Sequence, residues 1–150
     1  MYRKQEAALI KKKFWTTFGQ YMKPVANAEG ETINWVNYKT GIRHIYFRMD
    51  VTNKEASIGI ELKEEDTALR YHQCNTLLQL RSIFKEELQE EWEWKKDMID
   101  EDGNTISRVS IFLPDVSIFK EEDWPAIISF FKPRIISLDR FWYIAKDSLQ

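Results

Sequence analysis

One cysteine, two histidines, five glycines and four prolines are small counts for a chain of 150 residues, and each shortage excludes something. Cys74 on its own can form neither an internal disulfide nor a cysteine-based zinc site. His44 and His72 have no His or Cys neighbour at ligand spacing, so a zinc centre is not expected. So few glycines and prolines leave little room for linkers, and no glycine-rich phosphate loop or Gly-x-Ser-x-Gly elbow is present. Long hydrophobic runs are missing too. The stretch from Trp124 to Phe131 is far too short to span a bilayer. The N-terminal "MYRKQEAALIKKKFW" has no continuous apolar stretch of the signal-peptide kind, so the expectation is a cytoplasmic protein with no membrane association. The formal net charge of -2 gives no global attraction to nucleic acid or acidic lipid, so any such binding needs a local basic patch.

What is present suits one domain, residues 1–150, with a real core. Hydrophobic residues are 43% and aromatics 14%, while 31% charged residues keep the surface wet. Residues 4–22 place Ala7, Ile10, Phe14, Phe18 and Tyr21 at spacings of three and four, which predicts a helix. Three strands are expected next: "INWVNY" at 33–38, "IRHIYFRMDV" at 42–51 and "EASIGIELK" at 55–63. Alternation in the last two puts Ile45, Phe47, Met49, Ile58, Ile60 and Leu62 on one face. Tyr46, Arg48, Asp50, Ser57, Glu61 and Lys63 fall on the other. Residues 66–89 read as a second helix with Leu69, Leu77, Leu80, Phe84 and Leu88 inward. A hairpin of 90–99 and 105–113 is joined by "DEDGN", whose Asp-Gly is a strong turn signal. Residues from Asp123 onward form one long helix kinked near Ser129, or two helices meeting there, because Pro133 removes a backbone donor. The fold class is therefore α+β in the order αβββαββα. A five-stranded, mostly antiparallel sheet would pack against helices, the first and last covering one face.

The segments "FWTTFGQYM" (14–22), "INWVNYKTG" (33–41), "IYFRMDV" (45–51), "SIGIEL" (57–62), "RSIFKEELQEEWEW" (81–94) and "EEDWPAIISFFKPRIISLDRFW" (121–142) together resemble the domain of unknown function family numbered 4268, in its short single-domain form from Bacteroidetes-type bacteria. The likeness covers nearly the whole chain. In longer members this domain looks like a C-terminal companion of a nuclease-like DNA-binding domain, which implies nucleic-acid handling or defence.

Two functional readings stay open. The first is a non-catalytic cytoplasmic accessory or binding module for a protein or nucleic-acid partner. A homodimer fits it, since the aromatics exceed what one small core readily buries. If their faces coincide, Arg48, Lys63, Lys95 and Arg108 form the local basic patch. The second is a divalent-metal nuclease. The order αβββαβ and the Asp…Glu-x-Lys lettering resemble the restriction-endonuclease-like core. Asp50 and Glu61 would hold Mg²⁺ and Lys63 would position water. Glu6 could add a carboxylate there, and Gln73 or Gln79 polar support. No cofactor is expected under the first reading. The "DEDGN" stretch lacks the glutamate a calcium loop needs at its twelfth position and is read as a turn.

Overall fold

The computed structural model describes residues 3–150. Its elements are α1 (Lys4–Met22), β1 (Ile45–Val51), β2 (Glu55–Leu62), α2 (Thr67–Gln79), α3 (Arg81–Leu88), β3 (Glu93–Ile99), β4 (Thr105–Pro114) and α4 (Trp124–Leu149), with a short 3-10 turn at Glu121–Asp123. The class is α+β. The sheet has four strands in the order β1-β2-β4-β3, all pairs antiparallel. None of the helices among the described residues is long and apolar enough to cross a membrane.

The strand expected at 33–38 does not form, so the sheet has four strands rather than five and the order is αββααββα. The alternation there is real, but other bonds take the backbone. The Asn34 side-chain oxygen accepts the N–H groups of Val36 and Asn37, each at 3.1 Å, which closes a local turn. The Trp35 indole N–H donates to the Val25 carbonyl at 2.9 Å and the ring is buried. Gly41 and His44 then turn the chain through positive φ before β1 begins. For His44 this is an unusual conformation for a residue with a Cβ.

Helix α1 forms where the spacing predicts, and Phe14, Phe18 and Met22 make its buried stripe. Its rings meet Phe131 of α4 at centroid distances of 6.4 Å for Phe14, 5.7 Å for Trp15 and 5.7 Å for Phe18. Ring-on-ring packing therefore seats α1 chiefly on α4 rather than on the sheet. Pro125 occupies the first turn of α4, where a missing donor goes unfelt. The helix continues through Pro133 without a break. Pro133 and Ser129 are both exposed, so the carbonyl left unbonded faces water.

The second predicted helix is divided at Leu80 into α2 and α3, and its inner stripe differs from the expected one. Leu69 is 56% exposed, while Arg70, one position on, is 2% exposed. Arg70 faces inward because its guanidinium finds three acceptors: Ser107 Oγ at 3.1 Å, the Thr105 carbonyl at 3.4 Å and Asp97 Oδ1 at 2.6 Å. A charge can be buried when partners surround it. Cys74 and Leu77 continue that stripe. Phe84 of α3 stands edge-on to Trp92, Trp94 and Phe141, closing the core between β3 and α4. On the sheet side the core is Ala56, Ile58, Ile60 and Leu62 of β2 with Val109 of β4.

A candidate binding face on the open side of the sheet

The helices pack on the face of Ile58, Ile60 and Leu62, so the opposite face of the sheet carries no helix. Register decides who stands there. Arg48 lies opposite Gly59, Tyr46 opposite Glu61 and Asp50 opposite Ser57. Across β2 and β4, Glu61 faces Arg108 and Gly59 faces Ser110. Lys95 of β3 stands beside Arg108. The period of two that buries the isoleucines thus collects these polar side chains on one surface. Arg48, Asp50, Ser57, Glu61, Arg108 and Ser110 line a recess of about 180 Å³ there.

Its floor is Gly59. A Cβ at this position would lie 2.6 Å from the Val109 carbonyl oxygen and 2.8 Å from Ser110 Cβ, so no larger residue fits where β4 passes. Beside it Glu61 is 1% exposed, which is rare for a carboxylate. Its Oε2 accepts from Arg108 Nε at 2.8 Å and from Arg108 Nη2. Its Oε1 has no hydrogen-bond partner, and Lys63 Nζ stands 3.6 Å away. The turn between β3 and β4 reaches over this end of the face. Asp100 Oδ2 lies 3.9 Å from Lys63 Nζ, and Glu101 pairs with Arg48. Turn amides of Asn104 and Asp102 hold the Asp100 carboxyl below the usual carboxylate range. The Glu101 carboxyl is also lowered, by its own amide first and then by Arg48. Burial alone would lower the Arg48 pKa; Glu61, Glu101 and Asp50 outweigh it and hold the guanidinium charged.

A family model matches residues 10–146. The chain belongs to that family, Domain of unknown function (DUF4268). Searches of the curated proteins and of the solved structures returned no match.

In this DUF4268 chain, two of the three residues singled out from the lettering come together, namely Glu61 and Lys63. Asp50 shares their face but lies opposite Ser57, four positions from Glu61 along β2. At a rise of about 3.3 Å per residue that is roughly 13 Å, too far for two carboxylates to share one ion. Among the described residues no group of three His, Cys, Asp or Glu side chains is placed to hold a metal. Gln73 and Gln79 belong to α2, on the helix side of the sheet, and Glu6 is exposed on α1 in the layer beyond α4.

The four basic residues expected on the polar strand faces do share this surface. Each already has an acidic partner: Arg48 is paired with Glu101, Arg108 with Glu61, Lys95 with Glu93 at 3.0 Å, and Lys63 stands between Glu61 and Asp100. Glu101 and Asp100 were not legible as part of the site. They sit in a stretch whose spacing reads as a turn, and nothing local shows that the turn overhangs β1 and β2. Tyr46 and Phe112, 48% and 41% exposed, stand on the same face.

Proposed function

We propose that this chain is a non-catalytic binding module, an accessory protein of the cytoplasm, whose open sheet face takes a basic segment of a partner protein. One observation carries the reading. The recess is lined by four carboxylates, Asp50, Glu55, Glu61 and Glu101, against two guanidiniums, Arg48 and Arg108. Both guanidiniums are already paired, and Asp50 and Glu55 make no salt bridge within the described chain. The excess charge is negative, which repels a phosphate backbone and favours lysine or arginine side chains. Exposed Phe112 offers a ring for cation–π contact, as Tyr46 already does to Lys63 at 5.7 Å. A nuclease of the restriction-endonuclease type would need Asp50 and Glu61 on one metal ion, and their register separation favours docking over that chemistry.

The test is fluorescence anisotropy with two labelled probes of equal length, oligolysine and single-stranded DNA. Oligolysine should bind at low salt and the DNA should not. Glu55→Lys should weaken oligolysine binding at least tenfold. Glu86→Lys, the same charge change on the exposed side of α3, should not. Tighter binding of the DNA, or equal effects of the two variants, would refute the proposal.

A further inference from the structure

The sheet has two edges, β1 and β3. Strand β3 is defended: it shifts register between Lys95 and Met98, and Lys95, Lys96 and Asp97 are exposed along it. A bulge and edge lysines both deter another strand from adding. Strand β1 has neither a bulge nor a proline. The bonds at the ends of the β1–β2 ladder set its alternation. Thr52 N–H donates to the Glu55 carbonyl, and Lys63 N–H donates to the His44 carbonyl. Tyr46, Arg48 and Asp50 therefore direct their main-chain groups to β2, and Phe47, Met49 and Val51 direct theirs outward. No main-chain or side-chain hydrogen bond within the described chain reaches the outward groups of Phe47, Met49 or Val51. This is a template for one more strand, centred on half-buried Phe47 and Met49, with Val51, 4% exposed, at its end.

The strand's own lettering points to what fits. We infer that β1 pairs antiparallel with β1 of a second copy, about a two-fold axis through Met49. In "FRMDV", residues 47–51, that axis sets Phe47 against the partner's Val51 and Met49 against the partner's Met49. The Met49 pair at the axis exchanges two main-chain hydrogen bonds, and the two Phe47–Val51 pairs bring the ladder to at most about six. On the polar face the same axis sets Arg48 against the partner's Asp50, and Asp50 against the partner's Arg48. Those are the non-hydrogen-bonded sites of the ladder, where facing side chains approach most closely. The Asp50 carboxylate makes no hydrogen bond or salt bridge within the described chain, and Arg48 has donors to spare beyond its bond to Glu101. An axis through Arg48 would put Arg48 against the partner's Arg48, and one through Asp50 would oppose two carboxylates. On the helix side, half-buried Phe47 and Met49 lose their remaining exposure. The interface is isologous, so each contact is made twice.

Sedimentation equilibrium over a dilution series tests this. The wild-type chain should weigh twice the 18.0 kDa of one chain. Arg48→Asp alone and Asp50→Arg alone should each be monomeric, because each sets like charges across the axis. An equimolar mixture of the two variants should recover the doubled mass, since every facing pair is then opposite in charge. Met49→Pro should be monomeric with unchanged circular dichroism, because the N–H it removes points away from β2. A wild type that is monomeric throughout, single variants that dimerise like it, or a mixture that stays monomeric would each overturn the inference.

Discussion

Removing the charge of Arg108 while keeping its stem, as Arg108→Met does, tests how the open face is held together. The methionine preserves the aliphatic packing of the arginine stem. Glu61, 1% exposed, then loses both guanidinium bonds and keeps the Lys63 ammonium at 3.6 Å, with the Arg48 charge beyond it. Stripping one partner from a buried ion pair costs about 3–5 kcal/mol. Lys63 offsets part of that, since at ~4 Å and an effective dielectric of ~20 two charges attract by about 4 kcal/mol before desolvation. The lower end, about 3 kcal/mol, is therefore expected. For a chain of this length that lowers Tm by about 6–12 °C, read by thermal and urea unfolding followed by circular dichroism. The double variant Glu61→Leu/Arg108→Met removes both charges together and should recover to within about 1 kcal/mol of the wild type. The reasoning fails if the single variant loses less than about 1 kcal/mol, the worth of an exposed pair. It fails equally if the double variant unfolds as readily as the single.

Three further outcomes are expected. Gly59→Ala should destabilise by about 1–3 kcal/mol in urea unfolding, because the new methyl meets the Val109 carbonyl rather than a movable side chain. Tyr38 should make the protein sensitive to alkali. Burial, and then the bond to Asp139, push its phenol well above the usual range, so the folded state holds a proton that the unfolded state releases near pH 10. Stability from this group is complete below about pH 10 and falls above it, and Tyr38→Phe should flatten that fall in Tm measured against pH. Cys74 should react with a thiol reagent only after denaturant is added, since burial first of all raises its pKa and the residue is buried in α2.

Much of the fold was legible in local spacing. Helix α1 has the expected bounds, the β1–β2 hairpin has the expected faces, and Asp-Gly turns β3 into β4. The failures share a kind of cause, side-chain hydrogen bonding that no hydrophobic period records. At 33–38 the Asn34 side chain takes the backbone into a local turn, and at Arg70 partners far away in sequence turn the helix stripe by one position and leave Leu69 outside; in both places side-chain hydrogen bonds override the local period. Arg70 illustrates it best, because a guanidinium looks solvent-bound until Ser107 and Asp97 are in place. The candidate face was half legible. Period-two alternation put Arg48, Glu61 and Lys63 together, but the offset of Asp50 from Glu61 depends on pairing register, which strand composition does not encode.

Asp139 gives the long connection at 23–44 a character its lack of strands and helices conceals. The two oxygens of this buried carboxylate grip separate points of that connection, the Ala28 amide at 2.7 Å and the Tyr38 hydroxyl at 2.5 Å. A stretch clamped twice by one side chain of α4 moves with that helix as cladding rather than as a loose tether. Releasing that grip would free the whole stretch at once, so trypsin sites at Lys39 and Arg43 should be cut together or hardly at all.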